Sequence, residues 1–179
     1  MISSRVCSLL VVVTTLAPVS SAIAQDLDTP SHVRGIDDGA ATLIHDLVAR
    51  SATGRDLVEQ LDRSDLVVYV RRRLFQTALL TGRIGFLRGD CRHRFVAIEI
   101  AAPRNYVDEL ASLGHELQHA VEIAAEPAAC DATSLAELYL RIGDPVDRWG
   151  GLADSFETRA AAETAIRVRR ELFQASAEN

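Results

Sequence analysis

The chain has 179 residues, enough for one domain with a hydrophobic core and few for two. Its formal net charge is −6, and this acidic balance argues against a protein that binds nucleic acid. Beyond the N-terminal segment, no run approaches the roughly 20 apolar residues of a membrane-spanning helix, so we expect no membrane span in the mature chain.

The N-terminal residues have the features of a secretory signal peptide. A basic residue precedes an apolar run from Leu9 to Leu16, and small residues lead up to Ala24. We therefore predict a signal peptide over residues 1–24 and export to the periplasm or the extracellular space. A polar, loose leader over 25–35 and a single domain over 36–179 are expected to follow.

Two cysteines, Cys91 and Cys130, remain once Cys7 has been removed with the signal peptide. In an oxidising compartment, a pair of this kind predicts one disulfide bond. The alternative is a pair of free, buried thiols, because the sequence does not show whether the Cα atoms of the two residues come close together.

The first half of the mature chain predicts helices followed by strands. Apolar residues recur at helical spacing between Asp37 and Ser64, on both sides of a break near Gly54, which fits two short helices or one bent helix. From Leu66 to Ala101, β-branched and aromatic residues predict two or three strands of a small antiparallel sheet. We expect the basic cluster Arg71–Arg73 to be a solvated edge rather than an anion-binding site.

Three further helices are predicted in the second half of the chain. Pro103 suits the first turn of a helix that continues until Pro127 stops it. The next helix has Ser134 and Glu137 in capping-box register. A glycine-containing loop then leads into a last helix over residues 155–173.

The helix that starts near Pro103 carries two histidines and a glutamate on one side. At 100° per residue, His119 lies about 40° from His115 and Glu116 about 100° from it. The apolar stripe lies on the far side of the helix and consists of Leu110, Leu113, Leu117, Val121 and Ala124. We therefore expect one face of this helix to pack against the core and the other to be open for chemistry.

Two imidazoles four residues apart can converge on one metal ion, and the glutamate between them is placed to take a proton from water. This His-Glu-x-x-His pattern (HExxH) resembles the zinc metallopeptidases. The resemblance implies that His115 and His119 bind a zinc ion, Zn2+, and that Glu116 is the catalytic general base. The alternative is a solvated helix with two incidental histidines.

A third ligand is needed, and two glutamates are candidates. Glu126 lies about 10 Å along the helix axis from His119, too far to reach the same ion. Glu157 is predicted on the last helix, on an apolar face where a buried carboxylate needs a partner. Here the chain resembles the gluzincins, in which a glutamate from a later helix completes the site, matched by Glu157 and Ala161. Alternatively, Glu157 belongs to a capping box with Asp154.

The resemblance implies a zincin-like α+β fold, in which a small antiparallel sheet precedes the HExxH helix and the C-terminal helices. It also implies an exported zinc metallopeptidase that hydrolyses bonds in a peptide or protein substrate with a metal-activated water. The strand with Phe95, Ala97 and Glu99 is expected to accept the substrate by strand addition. The alternative is a non-catalytic secreted module that binds zinc or a partner, and Glu116 argues for the enzyme because a structural site has no use for a base.

Overall fold

The structure is a computed structural model that describes residues 31–145 and 156–177. The predicted signal peptide, the first part of the predicted leader, most of the loop before the last helix, and Asp154 lie outside these residues. Within them, the chain forms a four-stranded mixed sheet, a two-stranded ribbon and five helices, so the predicted α+β class is confirmed. None of the described helices combines the length and hydrophobicity that a membrane crossing requires.

The elements follow one another along the chain in an order close to the predicted one. They are β1 (Val33–Gly35), α1 (Asp38–Arg50), α2 (Ala52–Asp62), β2 (Leu66–Arg73), β3 (Gly82–Asp90), β4 (His93–Ala101), α3 (Tyr106–Ala124), α4 (Ala132–Ile142), β5 (Asp144–Pro145), β6 (Phe156–Glu157) and α5 (Arg159–Ala177). The last stretch of the predicted leader is therefore a strand, because Val33–Gly35 pairs with β2.

Of the two forms predicted for the first helical segment, two short helices is correct. The break between them is at Ser51 and not at Gly54. The Ser51 hydroxyl accepts a hydrogen bond of 2.9 Å from the backbone N–H of Gly54 and so caps α2. Gly54 instead allows close packing, since a Cβ there would lie 2.5 Å from Cγ of Leu47. In α4, similarly, the N-cap is Asp131 and Ser134 is its capping-box partner three residues later, so the predicted pairing of Ser134 with Glu137 is wrong.

The main sheet is mixed, so the prediction of an antiparallel sheet is wrong. Its strand order is β1-β2-β4-β3, in which β1, β2 and β4 are parallel and β3 is antiparallel to β4. The β3–β4 hairpin folds back so that β4 lies between β2 and β3, which makes β4 parallel to β2. Residue alternation predicts strands, but it carries no information about which strand becomes the neighbour of which. Because β4 has a partner on both sides, the expected strand addition at Phe95, Ala97 and Glu99 is also excluded.

One face of the sheet packs against the helices, and α3 lies at the centre of the fold. The core combines alternate residues of β2 and β4 with leucines of α1, α2, α3 and α5. On α3, His119 and Glu116 are buried as well as the three leucines of the apolar stripe, so the histidine side of the helix is also covered. Its other neighbour, α5, comes so close that a Cβ on Gly114 would lie 2.8 Å from Cγ2 of Val168.

A buried arginine joins the sheet to the C-terminal end of α3. The guanidinium of Arg94 donates to the carbonyls of Ile123 and Glu126 at 2.8 Å and to that of Ala124 at 3.2 Å, and it pairs with Asp65 at 2.6 Å. The last carbonyls of a helix have no partner within the helix, so Arg94 satisfies groups that burial would otherwise make costly. This contact holds the end of the histidine-bearing helix against β4.

The predicted disulfide between Cys91 and Cys130 is present. The two Cα atoms are 4.9 Å apart and the cysteines are separated by 39 positions in the sequence. The bond connects the β3–β4 turn to the segment that follows α3, close to the carbonyls that Arg94 binds. On the chain-entropy account, a closed loop of this length stabilises the fold by about 4 kcal/mol.

A carboxylate on α5 anchors this helix to the start of α2. Glu171 accepts hydrogen bonds from the hydroxyls of Ser51 and Thr53 at 2.5 and 2.7 Å and from the Thr53 backbone N–H at 3.1 Å. Burial by itself raises the pKa of Glu171, but these hydrogen bonds outweigh it and hold the pKa below its ordinary value of 4.5. The ionised form is therefore the one that stabilises the fold.

We expect Glu171→Gln to lower the free energy of unfolding by about 1 kcal/mol at pH 7, because the amide accepts weaker hydrogen bonds. Since the folded pKa lies below the unfolded one, the wild-type advantage is complete above the unfolded pKa and disappears as pH falls through the folded pKa. Urea denaturation at neutral and acidic pH measures this. Glu163→Gln, which alters an exposed pair with Arg159, is the control. A deficit of Glu171→Gln that stays constant with pH would contradict the assignment.

Candidate metal centre

Three of the predicted site residues meet at one point in the structure. Oε1 of Glu157 lies 3.5 Å from Nε2 of His115 and 3.9 Å from Nε2 of His119. One potential ligand atom from each of the three residues lies within 4.8 Å of the other two. In the described part of the chain, no other three histidine, cysteine, aspartate or glutamate side chains converge in this way. Two imidazoles and a carboxylate are a donor set that can hold a metal ion.

The helix α3 supplies both histidines, as the spacing predicts. It begins after Asn105, whose side chain accepts a hydrogen bond of 3.0 Å from the N–H of Val107. Because His115 and His119 are one turn apart, their ring centroids are 4.8 Å apart and the rings are nearly perpendicular. The two rings therefore approach the same point from one side of the helix.

Glu157 reaches the site from a different element than predicted. It lies in β6, which pairs with β5, and α5 begins two residues later at Arg159. The predicted place of Glu157 on the last helix is therefore wrong, and so is the alternative role in a capping box. Thr158 is the capping residue, since its hydroxyl accepts a hydrogen bond of 3.1 Å from the N–H of Ala161. An extended backbone at Glu157 directs the side chain toward α3 independently of the helical periodicity of α5.

A fourth residue, Glu122, links His119 to the segment that carries Glu157. We did not predict this residue from the sequence. One of its carboxylate oxygens lies 2.9 Å from Nδ1 of His119, and the other accepts a hydrogen bond of 2.7 Å from the hydroxyl of Thr158. An Nδ1–H that donates to Glu122 leaves the lone pair on Nε2, the atom that faces Glu157. Glu122 follows His119 by three positions and so shares its face of α3, which is the pattern that could have revealed it.

The carboxylates of the site change the pKa of His119. Burial is the largest single influence and lowers the pKa of this residue. The hydrogen bond to Glu122 and the charges of Glu116, Glu122 and Glu157 together outweigh burial and raise the pKa above its ordinary value of 6.5. Two imidazoles among three carboxylates thus form a site that favours a cation.

A cavity of about 570 Å³ opens over the cluster. Its walls come from β3, α3, α4 and the Phe156–Glu157 strand, and it is lined by Leu80, Thr81, Gly82, Arg83, Ile84, Phe86, His115, Glu116, His119, Ala132, Leu135, Ala136, Tyr139, Phe156 and Glu157. Its lining combines apolar side chains of β3 and α4 with the histidines and carboxylates of the cluster. The volume is within the range of small-molecule and peptide side-chain sites.

Glu116 lies against the strand that forms one wall of the cavity. A Cβ on Gly82 would lie 2.7 Å from Oε1 of Glu116, closer than such atoms approach in proteins. Gly82 therefore provides the space in which the carboxylate lies. Gly85, on the same strand, has nothing within 4 Å of the corresponding position, so the requirement for glycine is specific to Gly82.

Glu126 and Tyr139 are not part of the cluster. Glu126 forms an ion pair with Arg141 and is absent from the group of converging ligand atoms, as the distance along the helix predicts. The hydroxyl of Tyr139 donates to the backbone carbonyl of His119 at 3.2 Å. Burial and the neighbouring carboxylates raise the pKa of Tyr139, so it remains a neutral phenol. Tyr139 thereby holds α4 against α3 beside the cavity.

Comparison of the chain with protein-family models, with curated proteins and with solved structures gives no match.

We expect Glu122→Gln to lower the pKa of His119 in the metal-free protein. A neutral amide removes one of the negative charges that raise this pKa, so the lowering effect of burial is less compensated. NMR titration of the histidine ring signals measures this change directly. Glu126→Gln is the matched control, since it removes a carboxylate from the same helix outside the cluster. An unchanged pKa of His119 in Glu122→Gln would rule out Glu122 as the residue that holds the imidazole.

Proposed function

We propose that the protein is an exported zinc metallopeptidase that hydrolyses peptide bonds, with His115, His119 and Glu157 as metal ligands and Glu116 as general base. The observation that carries this proposal is the convergence of one carboxylate and two imidazoles beside a buried glutamate, all of which line an open cavity. A purely structural zinc site takes four protein ligands and needs no base, whereas a catalytic site has three and leaves one position open.

The donor set fits zinc in chemistry and in size. At zinc distances of 2.0–2.1 Å, the ligand atoms of a tetrahedral site are about 3.3 Å apart. The two separations between Glu157 and the histidines are 3.5 and 3.9 Å, and all three ligand atoms lie within 4.8 Å of one another, so the side chains must draw together to reach this geometry. Glu122 supports the set by orienting His119 through its second ring nitrogen. A zinc ion held here supplies a Lewis acid that polarises a carbonyl and makes a water molecule more acidic.

Glu116 is the residue that moves the proton in this proposal. Its carboxylate is buried between α3 and Gly82, close enough to His119 to influence the pKa of that imidazole. In this position it accepts a proton from the attacking water and returns it to the amine nitrogen that leaves. The snug fit against Gly82 holds the carboxylate in one orientation, so the proton acceptor is in place before substrate binds.

The substrate backbone pairs with β3 in this proposal. Within the described sheet, β3 has a neighbour on one side only and so offers unpaired backbone groups along its other edge. Residues 80–84 of this region line the cavity, which brings a peptide added at that edge close to Glu116 and Glu157.

Zinc titration against a competing chelator tests the ligand set. We expect Glu157→Gln to weaken zinc binding at least about tenfold, because the ion loses a charged oxygen. The amide nearly preserves the volume of the side chain, so the fold is expected to persist. Glu126→Gln is the control and should bind like wild type. Weaker binding by Glu126→Gln together with normal binding by Glu157→Gln would refute this ligand set.

Peptide hydrolysis followed by mass spectrometry tests the role of Glu116. We expect Glu116→Gln to retain zinc and to lose at least about a hundredfold in rate, because the amide cannot accept the proton. Gly82→Ala should also lose activity while keeping zinc, since its methyl group displaces the Glu116 carboxylate. Gly85→Ala is the matched control on the same strand and should cleave normally. If wild-type protein loaded with zinc cleaves no peptide in a diverse library, the peptidase proposal fails.

A further inference from the structure

The face of the sheet opposite the helices carries a cluster of arginines around one carboxylate. Arg71 and Arg73 from β2 and Arg83 from β3 all pair with Glu99 on β4. The Glu99 side chain is only 4% exposed, whereas each arginine is 44–48% exposed. We predicted a solvated edge for Arg71–Arg73. In the structure Arg71 and Arg73 belong to a charged surface on the broad face of the sheet, whereas Arg72 pairs with Glu109 of α3.

The cluster has more positive charge than its own carboxylate neutralises. Three guanidinium groups surround one carboxylate, so two positive charges remain on a chain whose overall charge is −6. On the buried side of the cluster, the carboxylate of Glu99 pairs with all three guanidinium groups. The outward parts of the guanidinium groups face solvent, where they can bind further anionic oxygens.

An apolar loop adjoins these arginines. In the connection between β2 and β3, Leu74 is 79% exposed and Leu79 is 60% exposed. The ring of Phe75 in the same loop lies under the guanidinium of Arg83, with 5.6 Å between the guanidinium carbon and the ring centroid. Arg104 donates a hydrogen bond of 2.5 Å to the carbonyl of Ala78 at the other side of the loop. The loop therefore places exposed leucines next to arginines along the chain, because Leu74 directly follows Arg73 and Leu79 lies four positions before Arg83.

We propose that this arginine–leucine surface binds the surface of an anionic phospholipid bilayer. It consists of Arg71, Arg73, Arg83, Arg104, Leu74 and Leu79. Protruding leucines gain free energy on entering the acyl region without needing a complementary pocket, while flanking arginines bind lipid phosphates with their charged ends. An acidic polypeptide would occupy the arginines but leave exposed leucines in water, so the combination favours lipid.

The position of the loop gives this binding a consequence for the cavity. Leu80 and Thr81, which end the loop, also line the cavity over the metal cluster. A bilayer bound at the arginine–leucine surface therefore lies beside that cavity. The inference does not depend on the proposed catalytic activity, because none of the six surface residues belongs to the metal cluster.

Co-sedimentation of the full chain with vesicles tests the proposal. Wild type is expected to bind vesicles of equal parts phosphatidylglycerol and phosphatidylcholine, and to bind pure phosphatidylcholine vesicles at least about tenfold more weakly. Salt at ~0.5 M should release it, because screening weakens the arginine contacts. If wild type does not bind the anionic vesicles, or binds both vesicle types equally, the proposal is overturned.

Variants locate the binding surface. The double variant Leu74→Ser with Leu79→Ser should reduce binding to anionic vesicles at least about tenfold. The variant Arg73→Gln should reduce it about fivefold. The control is Leu140→Ser with Ile166→Ser, which removes two exposed apolar residues from α4 and α5 and should bind like wild type. All variants keep the same N-terminal segment, and circular dichroism confirms their folding.

Two results of the variant series would overturn the proposal. Equal losses in the control would place binding elsewhere on the chain. Displacement of the bound protein by polyglutamate, with the leucine double variant binding normally, would assign the arginines to an acidic protein partner.

Discussion

The candidate site depends on the two contacts that the carboxylate of Glu122 makes. One oxygen engages the ring of His119 and the other engages the hydroxyl of Thr158, so a single side chain joins α3 to the segment that carries Glu157. A buried carboxylate is costly unless both oxygens have partners, and here both do. The same hydroxyl caps α5, so the start of that helix and the position of Glu157 are linked through one residue.

The rest of the fold brings α3 and its neighbours close enough for that contact. Gly114 removes the side chain that would otherwise separate α3 from α5 at Val168, one residue before the first histidine. Arg94 holds the far end of α3 by binding its terminal carbonyls, and the disulfide closes the adjoining segment. Tyr139 then fixes α4 against α3. The cavity is what remains between these packed elements.

The strand β3 contributes to both surfaces for which we propose functions. Successive residues of a strand point to opposite faces of the sheet, so Gly82 and Ile84 face the helices and the cavity. Arg83 belongs to both surfaces, because it lines the cavity and its guanidinium pairs with Glu99. The loop that leads into β3 also contributes to both surfaces, because Leu80 lines the cavity and Leu79 is exposed. Strand β3, which has a neighbour on one side only in the described sheet, thus connects the cavity to the arginine–leucine surface.

The sequence by itself determined what depends on neighbours along the chain. Helical spacing was enough to place His115, Glu116 and His119 on one helix, because i and i+4 positions share a face in any α-helix. The two cysteines that remain beyond the predicted signal peptide predicted the disulfide between Cys91 and Cys130, but only the structure shows their Cα atoms close together. The tertiary structure decided the rest, because long-range packing selects contacts that local periodicity does not encode. It made the sheet mixed, placed Glu157 in a short strand, joined Glu122 to Thr158, and surrounded Glu99 with arginines from two neighbouring strands.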